Sequence, residues 1–323
     1  MQPRKKPVSA IILAAGKGTR MKSDLLKVAH EVAGKPILHY VIESVLGVPA
    51  DRVFVVVGHQ SEHIKSITVF PRLSFVLQEA QLGTGHAVSQ AALYFRPKKN
   101  ETVFVLAGDC PLLRTETLTN LLSAHSESNS AATILTTKMK DPGTYGRIIH
   151  GKMGSVVGIR EAKDCSPEEL QINEINTGAY CFESEMLFKA LQSVKPNNSQ
   201  KEYYLTDVIG ILHEWGHPVG SYCSDSPDEA IGINTRQDLA AINQIIYSRN
   251  TETFMKNGVT IVDPRTTLID STASIGTDTV IYPFSSVLGH SKVGKHCQIG
   301  PNACIQNGSV LDYERVLPFK HVH

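Results

Sequence analysis

Val8-Ser9-Ala10-Ile11-Ile12-Leu13-Ala14-Ala15-Gly16-Lys17-Gly18-Thr19-Arg20-Met21 is an unbroken apolar run that ends in a glycine-rich, cationic turn. A continuous run of this kind fits a β-strand covered on both faces, as in a parallel sheet with helices on either side. The turn after it would present backbone N–H groups at the strand's carboxyl end, where they can cradle a phosphate. Glycine suits the turn because the chain must bend tightly and approach a ligand without a Cβ. Lys17 and Arg20 add positive charge, and Lys27 lies a few residues on. A dinucleotide-binding turn is the competing reading. It is the weaker one, because the third glycine position holds Met21 and such a turn has no need of this many cations.

Similar apolar runs follow at Arg52–Val57, 75–77 and Thr102–Ala107. Between them lie helical candidates at Ile37–Leu46, 86–93 and 115–125, and a long helical stretch covers 228–255 before Asn257-Gly258. Strands alternating with helices at this spacing predict an α/β fold, a Rossmann-like domain with a mainly parallel sheet and helices on both faces. The run at 102–107 leads into Gly108-Asp109-Cys110-Pro111-Leu112. A carboxylate at the carboxyl end of a parallel strand points into the crevice where such folds bind ligands. Mg²⁺ is commonly held by one or two protein oxygens plus substrate phosphates, so Asp109 is the candidate ligand. Its bland alternative is a cap on the next helix.

Beyond Gly258 the period changes to six. Ile269, Ile275, Ile281, Val287, Val293, Ile299, Ile305, Leu311 and Leu317 stand at consecutive sixth positions. Four residues after most of them comes a small side chain: Ala273, Thr279, Ser285, Ser291, Cys297, Ala303 and Ser309. This is a hexapeptide β-helix pattern, in which the aliphatic fills the prism and the small residue fits at the corner. Three hexads make one triangular coil, so about three coils are expected, with the failures at Arg315 and His321 read as a capping coil. The expected domains are therefore 1–257 and 258–323.

With 32 basic and 31 acidic residues in 323, the net charge is +1. Such a balance gives no field for nucleic acid or an anionic membrane, so neither is an expected partner, and an anionic ligand must be held locally. The basic start MQPRKKP is read as a frayed terminus, since the apolar stretch after it is too short for a signal peptide. No segment approaches membrane-spanning length. Six scattered cysteines without a CxxC pair read as reduced thiols of a cytoplasmic protein. His59 and His63 are four apart, but no third ligand follows in zinc spacing.

LAAGKGTRM, the later LLK, Gln78 in FVLQEAQLGTGHA, GDCPL, YGRI, Glu161 in IREAKD, EINTG and KEYYLTD occur in the order of one family. Together they resemble the uridylyltransferase half of the bacterial bifunctional N-acetylglucosamine-1-phosphate uridylyltransferase/glucosamine-1-phosphate acetyltransferases. The likeness covers about residues 8 to 250, and the hexapeptide tail is similar to the start of that family's left-handed β-helix. The resemblance implies transfer of a uridylyl group from UTP to a sugar 1-phosphate with Mg²⁺. Leu13, Ala14 and Gly16, with Gln78 and the Gly83-Thr84 turn, would hold the uridine. An amide such as that of Gln78 can donate to and accept from a pyrimidine edge. Arg20 and Lys27 would neutralise the triphosphate and the transition state, as catalytic residues. Asp109 and Asn234 would bind Mg²⁺, and Gly146, Glu161, Asn176 and Thr177 would line the sugar site.

Two departures stand out. Ala107 replaces the family's aromatic residue before the Gly-Asp pair, which opens the identity of the acceptor. Leu26 replaces the proline before the phosphate-binding lysine, which leaves that loop less pre-organised. The tail is also short for the family's acetyltransferase half, so no acetyl transfer is expected. The resemblance allows a homotrimer through the β-helix. Two alternatives stay open: the same chemistry with another sugar 1-phosphate or base, and a non-catalytic nucleotide-sugar binder. The set Arg20, Lys27, Asp109 and Asn234 speaks against a pure binder.

Overall fold

A computed structural model of the chain describes residues 6–95 and 101–323. Of the expected frayed basic terminus, residues 1–5 lie outside these. The chain forms two compact units, one of Met1–Ala29 with Leu38–Gly232, the other of His30–Ile37 with Ile233–His323. The boundary expected at 257/258 falls inside the second unit.

In chain order the strands are β1 (Val8–Ala14), the short pair β2 (Glu31–Val32) and β3 (Lys35–Pro36), β4 (Arg52–Val57), β5 (Leu73–Leu77) and β6 (Thr102–Ala107). There follow β7 (Ala132–Lys138), β8 (Arg147–His150), β9 (Val156–Arg160), β10 (Glu174–Glu183) and β11 (Val219–Ser224). The helices are α1 (Ile37–Leu46), α2 (Ser61–Ile67), α3 (Thr84–Ser89), α4 (Thr115–Ser128), α5 (Ser184–Leu191), α6 (Asp207–Glu214) and α7 (Arg236–Lys256).

The first unit is built on a sheet of order β11-β7-β10-β6-β1-β4-β5, with β8 and β9 attached beside β10. Along this path β10 alone runs against its neighbours, so the sheet is mainly parallel. Side chains alternate across it. Ile11, Phe54, Val56, Val103 and Val105 face a core completed by α3, α5 and α6. Ala10, Ile12, Val53, Val55, Phe104 and Leu106 face a second core with α1, α2 and α4. Burial on both sides is why these strands read as unbroken apolar runs rather than alternating ones. β1 pairs with β4 on one side and β6 on the other, so the strand order reverses at its carboxyl end. Parallel sheets open a crevice at such a point.

Two helices differ from the sequence reading. The stretch 86–93 is α3, starting at Thr84, and then a separate 3-10 turn at Ala92–Tyr94. The Ser89 hydroxyl and the Gln90 amide both donate to the His86 carbonyl, at 2.7 and 3.1 Å, and so compete for the acceptor a continuing helix would use. The long stretch at 228–255 is split into a 3-10 turn, Pro227–Ala230, and α7. A capping box sets the start of α7: Thr235 Oγ1 accepts from Asp238 N at 3.1 Å, and the Asp238 carboxylate accepts from Thr235 N at 2.8 Å.

The second unit combines α7, the β2–β3 hairpin and a three-faced parallel β-helix. Eleven short strands from Thr260–Ile261 to His321–Val322 form sheets of four, four and three strands. They make three full coils and two strands of the next. Ile269, Ile281, Val287, Val293, Ile299 and Ile305 fill the interior as the hexads predict. The two last hexads do not. Leu311 and Leu317 are 70% and 58% exposed, while Val310 and Val316 are buried. Ser286 pairs with Cys304, eighteen residues on, but Lys292 pairs with Ser309, seventeen on. The corner after Ile305 is one residue short, closed by Asn307 at positive φ, whose Oδ1 accepts from His290 N at 3.0 Å. Arg315 and His321 are therefore strand residues in a shifted register, not failures of a capping coil.

Candidate active site

At the carboxyl ends of β1 and β6 the first unit has a cavity of about 550 Å³. Leu13, Ala14, Gly16, Lys27, Gln78, Gly83, Thr84 and Asp109 all line it, with Lys17, Ala107 and Glu202. The sheet sets its floor. Gly108 N–H donates to the Leu13 carbonyl at 2.9 Å, and a Cβ on Gly108 would lie 2.7 Å from that oxygen. Glycine there lets the end of β6 close on β1 and fixes where Asp109 begins.

The turn after β1 is held by its own residues. Gly18 has φ +61°, and a Cβ on it would lie 2.6 Å from Lys27 Cβ, so the lysine stem packs into the space glycine leaves. Met21 is buried and anchors the 3-10 turn Thr19–Met21, closed by Met21 N–H to the Gly18 carbonyl at 2.9 Å. Gly16 is different: a Cβ there would meet no protein atom within 4 Å. Gly16 is itself exposed and lines the cavity.

Lys27 and Asp109 form an ion pair through Nζ and Oδ2, both mostly buried. The Sγ of Cys110 lies 3.7 Å from the other carboxylate oxygen, and burial, reinforced by that carboxylate, pushes the thiol well above its usual range. Cys110 therefore stays a neutral neighbour. A carboxylate on a cavity wall suits a hard divalent ion. Among the described residues no cluster of three or more His, Cys, Asp or Glu could hold a metal, so an ion here would take most of its ligands from substrate and water. Gly232 packs against Asp109, its Cβ position 3.6 Å from Oδ1. Asn234 follows two residues later, in the second unit, where its N–H donates to the Asp238 carboxylate at 3.0 Å.

Gln78 is buried at the end of β5, and its Nε2 is already engaged. It donates to the Gly83 carbonyl at 3.2 Å and sits 3.0 Å from His86 Nδ1. A carbonyl only accepts, so the amide's nitrogen must face Gly83 and its oxygen is the end left for a base. The Gly83-Thr84 turn is pinned from behind. Gly85 N–H donates to Tyr203 O at 2.8 Å, Thr84 Oγ1 accepts from Leu205 N at 3.0 Å, and a Cβ on Gly83 would lie 2.7 Å from Tyr203 O.

The residues assigned to the sugar side lie around β8, β9 and β10, outside the cavity lining. Asn176 N–H donates to Gly146 O at 2.9 Å; its side chain accepts from Gly178 N and donates to Tyr180 Oη at 2.7 Å. Burial raises the Tyr180 phenol, keeping it neutral. Thr177 is buried and spends its hydroxyl on Leu135 O at 2.7 Å. Glu161 accepts from Thr206 Oγ1 at 3.2 Å, and its carboxyl is raised chiefly by burial and further by Asp164 and Asp207. Ala107 lies on the route between the two groups, 3.5 Å from where a Gly178 Cβ would stand. Arg20 is exposed on the 3-10 turn and does not line the cavity.

Sequence reasoning missed Gln81 and the wall built by Glu202 and Tyr203. Both lay within quoted motifs, FVLQEAQLGTGHA and KEYYLTD, but their contacts are made across the fold.

Residues 10–222 match the MobA-like NTP transferase domain family, and 272–311 match the bacterial transferase hexapeptide family. The chain is 44% identical over 329 residues to a bifunctional protein GlmU of Shouchella clausii, covering 97% of this chain and 72% of that one. It is 45% identical to that of Halalkalibacterium halodurans and 47% identical to that of Enterococcus faecalis, each over 301 residues, covering 93% of this chain and 66% and 65% of theirs. A solved UDP-glucose pyrophosphorylase complexed with UDP-glucose aligns with TM-score 0.62 at 16% identity, over 76% of this chain and all of that one. That likeness concerns the fold alone.

Proposed function

We propose that this chain, which belongs to the bifunctional GlmU family and is a nucleotidyltransferase, moves a uridylyl group from UTP to N-acetylglucosamine 1-phosphate. The carrying observation is one cavity that joins the Gly16–Thr19 turn, the Lys27–Asp109 pair and the Gln78–Thr84 loop at the point where strand order reverses. A phosphate oxygen of the sugar 1-phosphate attacks the α-phosphorus in line. The new P–O bond forms as the bond to the bridging oxygen breaks, and pyrophosphate leaves. No protein nucleophile is needed. Both reactants are anions, so the residues must screen repulsion and hold the two in line.

Backbone N–H groups of the turn and Lys27 supply that screening from the cavity lining, and Arg20, exposed on the Thr19–Met21 turn, is proposed to add its charge from outside that lining. Asp109 is the carboxylate that would hold Mg²⁺, and the ion would add positive charge to the substrate phosphates; Asn234, the neutral oxygen ligand that the family resemblance implies, belongs to the second unit. Gln78 is proposed to meet the base through Oε1, the amide end not turned to Gly83; an acceptor suits a base with a ring N–H, which uracil, thymine and guanine carry and cytosine and adenine lack. Gly146, Glu161, Asn176 and Thr177 form the sugar side.

A second reading keeps the chemistry and changes the acceptor. Ala107, a methyl beside Gly178, leaves space that a bulkier or differently substituted sugar could fill. A pyrophosphate-release screen of nucleoside triphosphates against sugar 1-phosphates decides between them. UTP with N-acetylglucosamine 1-phosphate should give the highest kcat/KM, with CTP and ATP inactive. Release with no pair of substrates would refute the enzyme reading.

These 323 residues supply three coils and part of a fourth, and we propose that they transfer no acetyl group; acetylation of glucosamine 1-phosphate from acetyl-CoA would refute this. The β-helix is proposed as a trimer contact. In its support, Phe284, Leu311, Tyr313, Leu317 and Phe319 stand well exposed on it. Light scattering at the mass of one chain would refute that. Cytoplasmic residence is proposed as well; all six cysteines are free, and no helix among the described residues is long and apolar enough to cross a membrane.

A further inference from the structure

Gln81 lines the cavity, yet its Nε2 does not point at open space: it donates to the carbonyl of Ala15. Ala15 opens the phosphate turn, directly after β1, and also lines the cavity. Gln81 belongs to the other wall, between Gln78 at the end of β5 and the Gly83-Thr84 turn. The bond therefore crosses from the base-holding loop to the phosphate-holding turn. A carbonyl accepts and cannot donate, so the amide orientation is fixed by its partner.

The space for this crossing is made by a third element. Gly58 follows β4 directly and is buried. A Cβ there would lie 2.6 Å from Gln81 Nε2, 3.0 Å from Ala15 O and 3.4 Å from Ala15 Cβ. The φ of Gly58 is not in the left-handed region, so the requirement for glycine here is one of space rather than of backbone conformation. Its missing side chain is the slot through which Gln81 reaches Ala15.

We infer that Gln81, seated through Gly58, is a positioning residue that ties the base loop to the phosphate turn before nucleotide arrives. The inference rests on the proposed use of this cavity for UTP. Without the tie, nucleotide binding must order two loops that are otherwise already held together. That cost falls on ground state and transition state alike, so it raises KM for the nucleotide and spares kcat. The sugar side takes no part, because neither loop includes Gly146, Glu161, Asn176 or Thr177.

Steady-state pyrophosphate release tests this with Gln81→Ala, Gln81→Met, Gly58→Ala and the double variant Gly58→Ala/Gln81→Ala. Loss of one hydrogen bond should raise KM for UTP about three- to tenfold in each single variant. Met keeps the length of the side chain without a donor, so it should behave like Ala. kcat and KM for the sugar phosphate should move by less than about twofold. In the Gln81→Ala background the closest contact of the Gly58 Cβ, with Nε2, is gone and only the looser approaches to Ala15 O at 3.0 Å and Ala15 Cβ at 3.4 Å remain, so the double variant should be no worse than the worse single variant, within about twofold. Three results would overturn the inference: UTP KM within twofold of wild type for both Gln81 variants, an equal fall in kcat for every substrate, or single effects that multiply in the double variant. A wild-type chain without turnover on UTP would instead refute the functional reading beneath it, so the two failures are separable.

Discussion

Replacing Gly18 by Ala tests the central packing of the phosphate turn. Its φ of +61° costs an L-residue about 1 kcal/mol or more. The added Cβ would also lie 2.6 Å from Lys27 Cβ and 3.5 Å from Lys27 Cα and N, so the contact is with the base of the lysine and not its flexible end. Carbon atoms at rest stand about 3.5 Å or more apart, so the lysine stem must retreat by about 1 Å. Together these should cost about 2 to 3 kcal/mol of stability. For a unit of this size that lowers the melting temperature by about 4 to 12 °C. Lys27 carries its ammonium on the same stem, so the shift moves it off Asp109 and off the phosphates it is proposed to hold. A displacement of about 1 Å in a positioning group lowers turnover about a hundredfold. Gly16→Ala is the internal control, because no protein atom lies within 4 Å of its Cβ and its φ is not positive. It should leave stability within about 0.5 kcal/mol of wild type while weakening UTP use. Pyrophosphate release well below the melting temperature, alongside calorimetry, reads both effects. Wild-type turnover by a folded Gly18→Ala protein, or equal destabilisation at 16 and 18, would show that the turn does not work this way.

Asp109→Ala should lower pyrophosphate release by about a hundredfold at saturating substrate and Mg²⁺; near-normal rates would remove Asp109 from the mechanism. Glu161→Gln should stabilise the free protein while impairing use of the sugar phosphate. Burial raises this carboxyl above 4.5, so wild type bears no penalty below that pH and loses stability relative to the variant as pH climbs through the folded pKa. Equal melting temperatures at pH 4 and pH 8 would contradict that sign. In the β-helix, Val316→Ala should cost about 1 to 2 kcal/mol and Leu317→Ala no more than about 0.5, because the valine is inside and the leucine is not. The reverse order on thermal unfolding would restore the strict six-residue count.

How much of this was readable beforehand depended on how far each interaction reaches along the chain. The run at Val8–Ala14 announced a strand buried on both faces, because apolar continuity is a local property. The six-residue period announced the β-helix for the same reason, down to Ile305. It failed afterwards because Val310-Leu311 and Val316-Leu317 are each a pair of aliphatics. Either member could have faced inward, and the pattern could not choose. The shortened corner at Asn307 chose, and a turn one residue short leaves no mark on hydrophobicity.

The sequence by itself determined the chemistry available: a glycine turn with cations, a carboxylate after a buried strand, and motifs in one order. Tertiary structure alone decided which groups are committed. The Gln78 amide nitrogen is turned to Gly83, Lys27 is seated by Gly18 and paired with Asp109, and Gln81 is drawn to Ala15 through the space at Gly58. Lys27 with Asp109 and Gln81 with Ala15 join residues 82 and 66 apart in the chain, which the fold brings together beside the carboxyl ends of the strands. A hydrogen bond or a missing methyl acts over a few ångströms, and only the folded sheet sets which residues stand that close.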